Sequence, residues 1–333
     1  MKANGLNVLV TGGAGFIGSE MVHQLIAIGC RVVVVDNLSN GKKENLKGLP
    51  KDKVRFVKED VRDAGRMTKL MRGSDIVFHL ACLGVRHSLG FPLENHDVNA
   101  TATLGLLSVA KNENIKRFVY VSSSEVFGTA RWVPMTEDYP PSPMTVYGAS
   151  KLAGECYTRA FWHSYEYPTV VVRPFNTYGP RCHHEGDSGE VIPKFLLRCM
   201  SGKPMIAFGD GCQTRDFTFV SDTAYGIIQA GLHDNAIGTT INIGSGREVS
   251  INDLAKKVAA VAKRPDATLI YEKARPGDVL RLCADIRKAR MILGFRPKVT
   301  LSQGLKQLKE WYMTMKQSPE ELLKSEIVRN WGI

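Results

Sequence analysis

No run in the chain approaches the roughly 20 consecutive apolar residues that a membrane-spanning helix needs. The opening Met1-Lys2-Ala3-Asn4-Gly5 leads straight into a strand-like run with no signal-peptide core. These absences exclude a membrane span and predict a cytoplasmic location. The seven cysteines, at positions 30, 82, 156, 182, 199, 212 and 283, hold no C-x-x-C pair, and an odd, scattered set excludes a disulfide framework. They read as reduced, mostly structural thiols. No internal repeat, low-complexity tract or nucleic-acid motif is present. The 44 Lys and Arg outnumber the 33 Asp and Glu to give a net charge of +11, but the cations are dispersed, which predicts a solvated basic surface rather than a nucleic-acid face. With 333 residues, 44% of them apolar, the chain can bury a full core and exceeds one simple domain.

What is present is a rhythm of strand and helix. Leu6 to Val10 reads as a buried strand, Ser19 to Ile28 has helical apolar spacing, and Arg31 to Val35 is a second buried strand. The alternation continues through Val54 to Val57, a helix near Asp63 to Met71, Asp75 to Leu80, a helix near Asn99 to Asn112, Arg117 to Val121, a helix from about Thr145, and Thr169 to Arg173. Six strands alternating with helices predict an α/β fold, a Rossmann-type doubly wound parallel sheet, with a smaller C-terminal α/β substrate domain. The expected boundaries are 1–178 and 179–333, with segments near 213–245 returning to the first domain. Helices around Leu301 to Met315 and Pro319 to Val328 are expected to pack at the end.

Between the first strand and first helix stands Thr11-Gly12-Gly13-Ala14-Gly15-Phe16-Ile17-Gly18. Glycines there permit a tight turn and close backbone approach to a pyrophosphate, with the helix N-terminus facing the anion. Asp36 ends the second strand eighteen positions past Gly18, where a carboxylate accepts ribose hydroxyls and repels a 2′-phosphate, favouring NAD over NADP. Asn37 follows it, and Asp60-Val61, after the third strand, are candidates to flank the adenine. His183-His184-Glu185 with Asp187 crowd one loop without the spaced second half of a transition-metal site. The segment reads as a substrate-covering loop, and no metal is expected.

Tyr147 and Lys151 stand four positions apart at the start of a predicted helix, so both project from one face. A phenol, with its free pKa near about 10, can act as a base if a neighbouring ammonium and a positive nicotinamide ring favour the phenolate. Ser122-Ser123-Ser124 ends the strand before them. With Asp36, His79-Leu80-Ala81, Asn99, Ser122 to Gly128, Arg173-Pro174-Phe175-Asn176, Arg215-Asp216-Phe217 and Arg275-Pro276-Gly277-Asp278, the chain resembles the extended short-chain dehydrogenases/reductases over nearly its whole length. Within them it resembles the nucleotide-sugar epimerases, dehydratases and decarboxylases.

That resemblance implies a catalytic set of Ser123, Tyr147, Lys151 and Glu125. It implies NAD contacts from Gly12, Gly15, Phe16, Ile17, Gly18, Asp36, Asn37, Asp60, Val61, Leu80, Ala81 and Asn99, with Lys151 on the nicotinamide ribose. For the substrate it implies Asn176 and Arg215 and Arg275 at the phosphates, Asp278 at the nucleotide ribose, and Arg86, Ser88, Ser124 and Val191 about the rest. Forked guanidiniums suit phosphate oxygens. Tyr147 would take the proton of the sugar C4 hydroxyl as hydride passes to NAD, giving a bound 4-keto sugar.

Arg275-Pro276-Gly277-Asp278 and the absence of a Pro-rich loop at residues 82–88 lean toward 4-epimerisation of a UDP-hexose, UDP-N-acetylhexosamine or UDP-uronic acid. Leu282, where some hexose epimerases carry Tyr, predicts room for an N-acetyl group. Glu125 keeps a 4,6-dehydratase or a glucuronate decarboxylase open, although Ser124 stands where one dehydratase branch has Asp. A non-catalytic NAD-binding relative and a simple dehydrogenase are rivals. A homodimer, built on the helices of residues 99–112 and 147–165, is implied by the resemblance alone.

Overall fold

The computed structural model describes residues 1–186, 188–274 and 278–329. Its centre is a seven-stranded, wholly parallel sheet. Six strands are β1 (Asn7–Thr11), β2 (Arg31–Asp36), β3 (Val54–Lys58), β4 (Ile76–His79), β5 (Arg117–Val121) and β6 (Thr169–Pro174). The seventh, Thr240–Ile243, adds beside β6, and the order across the sheet is Thr240–Ile243, β6, β5, β4, β1, β2, β3. Six of these were expected; the seventh arrives from far along the chain, with Thr240 in register with Val171.

Alternate side chains go to opposite faces of a strand, and here both faces are buried. Leu9, Val35, Val77, Phe118, Tyr120 and Val171 pack on one side with Leu106 and Phe161. Val8, Val10, Val34, Phe78, Val119 and Val170 pack on the other with Met21, Leu25 and Ile227. This two-sided burial is why the strands read as continuous apolar runs. A further apolar cluster joins Phe195, Leu196, Leu254, Val258, Leu305 and Leu308 from the helices Val191–Met200, Ile251–Ala262 and Leu301–Met313. The predicted Pro319 to Val328 helix is shorter, Pro319–Leu323, and starts from a capping box formed by Ser318 and Glu321.

The strand order reverses between β1 and β4, and in such sheets a crevice opens at the carboxyl ends of the strands where the order turns. His79, at the end of β4, ties that point together: one ring nitrogen lies 2.7 Å from Thr11 Oγ1 and the other 3.0 Å from Thr103 Oγ1. Burial, with the Lys151 charge, pushes its pKa down to about 3. It is therefore a neutral clamp holding β1 and β4 side by side. Among the described residues no helix is long and apolar enough to cross a membrane. All seven cysteines are free, with Cys156 and Cys212 exposed.

Candidate active site

The crevice widens into a cavity of about 740 Å³ that runs from the glycine turn to the Val191–Met200 helix. At one end the chain leaves β1 through Gly12, whose backbone has φ +68° and lies so close to Ala81 that a Cβ would stand 2.7 Å from the Ala81 nitrogen. A Cβ on Gly18 would fall 2.2 Å from the Gly12 carbonyl oxygen. The turn thus needs glycine at both places, and helix α1 (Phe16–Ala27) begins against the cavity with no side-chain cap on its first turn. Its free N–H groups and positive dipole end suit a pyrophosphate. Gly15, Phe16 and Ile17 share that wall, and Leu80 and Ala81 form the facing one.

Asp36 reaches the same cavity from the end of β2. Its carboxylate accepts the Ala14 N–H at 3.0 Å and the Leu38 N–H at 2.8 Å, which holds it in place, while burial raises its pKa. Asn37 donates to Asp60 at 3.2 Å. Asp60 accepts from Arg62 Nε at 3.0 Å and Nη2 at 2.8 Å, and these bonds hold its pKa down to about 2. Val61 lines the cavity beside it. These groups fit a dinucleotide: a cradle that excludes side chains, a helix terminus, and a fixed carboxylate at the end of the second strand.

Asn99 and Ser88 are placed differently from expectation. Neither lines the cavity. The Asn99 amide accepts from Leu83 N at 2.9 Å and donates toward Leu83 O, Asn95 Oδ1 and Ser150 Oγ at 3.0 to 3.1 Å. It braces the loop after β4 against the Val146–Tyr165 helix. Ser88, buried, donates to the Val85 carbonyl at 2.6 Å. Replacing Asn99 by Ala strands the Leu83 backbone groups, so a loss of about 1–3 kcal/mol is expected in denaturant unfolding.

The reacting end is assembled from two elements. β5 ends at Val121, and the following turn presents Ser123, whose hydroxyl accepts the Glu125 N–H at 3.2 Å. The Val146–Tyr165 helix starts at Thr145, which caps it by accepting the Gly148 N–H at 3.1 Å. That start aims Tyr147 and, one turn on, Lys151 into the cavity with Ser123, Ser124 and Glu125. Burial and the acidic groups Cys82, Glu125 and Glu190 hold the Tyr147 phenol protonated, although the Ser123 hydroxyl favours its charged form. Lys151, almost wholly buried, donates to the Val121 carbonyl at 2.6 Å and lies 4.7 Å from the centre of the Tyr120 ring. Burial lowers its pKa. The expected pairing of ammonium and phenol is thus not made within the protein alone; backbone and aromatic ring hold the lysine.

Further out, Asn176 lines the cavity and its buried Oδ1 has no hydrogen-bond partner among the described residues. A buried orphan acceptor needs an explanation, and a ligand donor supplies one. Arg215 and Asp278, expected at opposite parts of a nucleotide, meet each other at 2.8 Å. Val191 and Arg86 also line the cavity. Arg275, like Asp187, lies outside the described residues. Leu282 is fully buried among Val126, Phe127, Met135 and Phe175, away from the cavity wall, so it does not set the sugar's room as expected. Lys42, in the loop after β2, pairs with Glu185, consistent with a covering segment. No cluster of metal-ligating side chains exists among the described residues.

Sequence reasoning missed Glu190. It precedes an apolar helix, a place that offered no motif, yet it lines the cavity and its charge reaches Tyr147.

Comparison with known proteins gives this arrangement relatives. A putative UDP-glucose 4-epimerase of Methanocaldococcus jannaschii is 36% identical over 308 residues, covering 91% of this chain and 97% of that protein. UDP-glucuronic acid decarboxylase 2 of Arabidopsis thaliana is 34% identical, with 92% and 68% covered. The structure of UDP-N-acetylglucosamine 4-epimerase from Methanobrevibacter ruminantium, in complex with UDP-N-acetylmuramic acid, superposes with a TM-score of 0.88 at 35% identity, over 93% of this chain and 99% of that one. Epimerases and decarboxylases thus share the frame, and the family model described as GDP-mannose 4,6 dehydratase matches residues 9–308. The chain belongs to that family, within the extended short-chain dehydrogenases/reductases.

Proposed function

We propose that this protein is an NAD-dependent nucleotide-sugar 4-epimerase acting on a UDP-hexose or UDP-N-acetylhexosamine through a transient 4-keto sugar. The observation that carries the reading is the joint presentation of Ser123 and Tyr147 on the wall of a cavity whose other end is a glycine cradle. Gly12, Gly15 to Gly18, Asp36, Asn37, Val61, Leu80 and Ala81 would hold the dinucleotide, with Asp60 beside them. Bound there, NAD would supply a reversible hydride acceptor and a positive ring charge that favours the phenolate.

The chain's own part is proton movement and positioning. Tyr147 Oη removes the proton from the sugar C4 hydroxyl and later returns it, and Ser123 Oγ bonds the same hydroxyl. Lys151 fixes the ribose side of the nicotinamide and adds positive charge. Asn176 Oδ1 and Arg215 would meet the diphosphate part, and Asp278 the nucleotide ribose. Epimerisation then needs the keto sugar to turn within the cavity, which a long space with polar groups at its ends permits. The helices Ala102–Asn112 and Val146–Tyr165, which leave Leu104 and Tyr165 exposed, would supply the faces of a homodimer working in the cytoplasm.

A second reading has one specific support. Burial raises the pKa of Glu125 beside the reacting end, which suits an acid or base acting at C5 in a dehydratase or decarboxylase. Ser124, also on the wall, provides no acid next to it. Incubation with UDP-, GDP- and dTDP-sugars, read by NMR and mass, separates the readings. The expected product has unchanged mass and inverted C4; loss of water or of carbon dioxide would instead make the protein a lyase.

A further inference from the structure

Glu190 occupies the N-cap position of the Val191–Met200 helix, with extended backbone at φ −94° and ψ 163°. A short polar side chain there ordinarily accepts from the first helical turn, but Glu190 makes no side-chain cap bond. Glu190 lines the cavity shared by Ser123, Glu125 and Tyr147. The acidic groups whose fields reach the Tyr147 phenol include Glu125 and Glu190, which come from two separate elements. Both residues line the cavity that holds Tyr147, so a sugar presented to the phenol would lie within the field of these two carboxyls. Arg86 and His183 on the same walls favour the charged form of Glu190, and Glu185 disfavours it.

We propose that Glu190 sets substrate charge at the sugar end, admitting nucleotide sugars with an uncharged hexose and turning away those whose hexose carries a carboxylate at C6. The inference rests on the nucleotide-sugar reading above and deepens it by naming the class of sugar. Its physical basis is like-charge juxtaposition in a site partly shielded from water, where repulsion is far less screened than in bulk solvent. Arg86 and His183 would otherwise draw a uronate in, and Glu190 offsets their charge where the sugar sits. Burial pushes the carboxyl up to about 7, so the discrimination strengthens as pH rises through neutrality and relaxes below it. Burial lowers the His183 pKa, but the Glu185 bond and the charges of Glu190 and Glu185 raise it overall; Glu185, Arg86, Tyr147, Cys182 and Tyr312 also interact with the Glu190 charge, and Glu125 and Lys194 line the same cavity.

The test is isothermal titration of the full chain, as purified with its cofactor, with UDP-glucose and UDP-glucuronate at pH 6 and pH 8. Wild type, Glu190→Gln and Glu190→Asp are compared. Wild type is expected to bind UDP-glucose at least about 10-fold more tightly than UDP-glucuronate at pH 8, with a smaller preference at pH 6. Glu190→Gln should tighten UDP-glucuronate at pH 8 by about 10-fold and flatten the part of the pH dependence that His183 does not supply. Glu190→Asp, which keeps the charge, should retain the wild-type preference and so separates charge from a folding defect. An unchanged UDP-glucuronate affinity in Glu190→Gln, or a wild-type preference for UDP-glucuronate at pH 8, overturns the proposal while leaving the nucleotide-sugar reading standing. Binding of neither ligand to any variant overturns both.

Discussion

Replacing Tyr147 by Phe is expected to lower kcat for the C4 inversion by about 10²–10⁴-fold, the range for loss of a positioned proton-transfer group. Tyr147 shares the cavity wall with Ser123 and Glu125, and the ring stays in place when only oxygen is removed. Stability should therefore change little, and substrate affinity should survive. Thermal melting and binding titration beside the rate measurement check this division. A variant that keeps more than a tenth of wild-type turnover would remove Tyr147 from the chemistry.

The largest expected loss of stability comes from the pair Arg173 and Glu155. Glu155, on the Val146–Tyr165 helix, is fully buried and accepts from Arg173 at 2.8 and 2.6 Å, while Arg173 also donates to the Glu137 carbonyl at 2.9 Å and packs over the Phe127 ring. Burial alone would raise the Glu155 carboxyl, and the Arg173 hydrogen bonds and charge more than offset it, so its pKa lies below the usual value. Replacing Arg173 by Met leaves a buried carboxylate short of its principal partner, which is expected to cost about 3–5 kcal/mol in denaturant unfolding. Because Glu155 follows Lys151 by one helical turn, activity should fall as well. By linkage, a carboxylate whose folded pKa is depressed stabilises above its unfolded value, and that contribution is lost as pH falls through the folded pKa. The variant should accordingly lose part of the wild type's stability decline on acidification.

Local features were legible in the sequence. The glycine turn, Asp36 and the Tyr147 to Lys151 spacing each lie within one strand-turn-helix passage, where chain geometry alone decides which side chains meet. The apolar strands were legible because both faces of the sheet are buried. Features set by distant pairing were not. Thr240–Ile243 lies in the segment near 213–245 expected to return to the first domain, but no periodicity announces β6 as its partner across so long a separation. Asn99 sits in a π-helical turn, Asp97–Thr101, whose extra residue shifts the helical phase, so spacing could not show that its amide turns to the Leu83 loop. Arg215 and Asp278 each looked like a ligand contact, and only folding shows that they pair with one another. Glu190 carried no motif because its role comes from the wall it joins.

The most direct test follows a single hydrogen. With UDP-glucose and UDP-N-acetylglucosamine deuterated at C4, the account predicts a product of inverted configuration that retains deuterium at C4, read by NMR, with no net reduced cofactor. Deuterium found at C6 of a dehydrated product, or washed out into solvent, would contradict it.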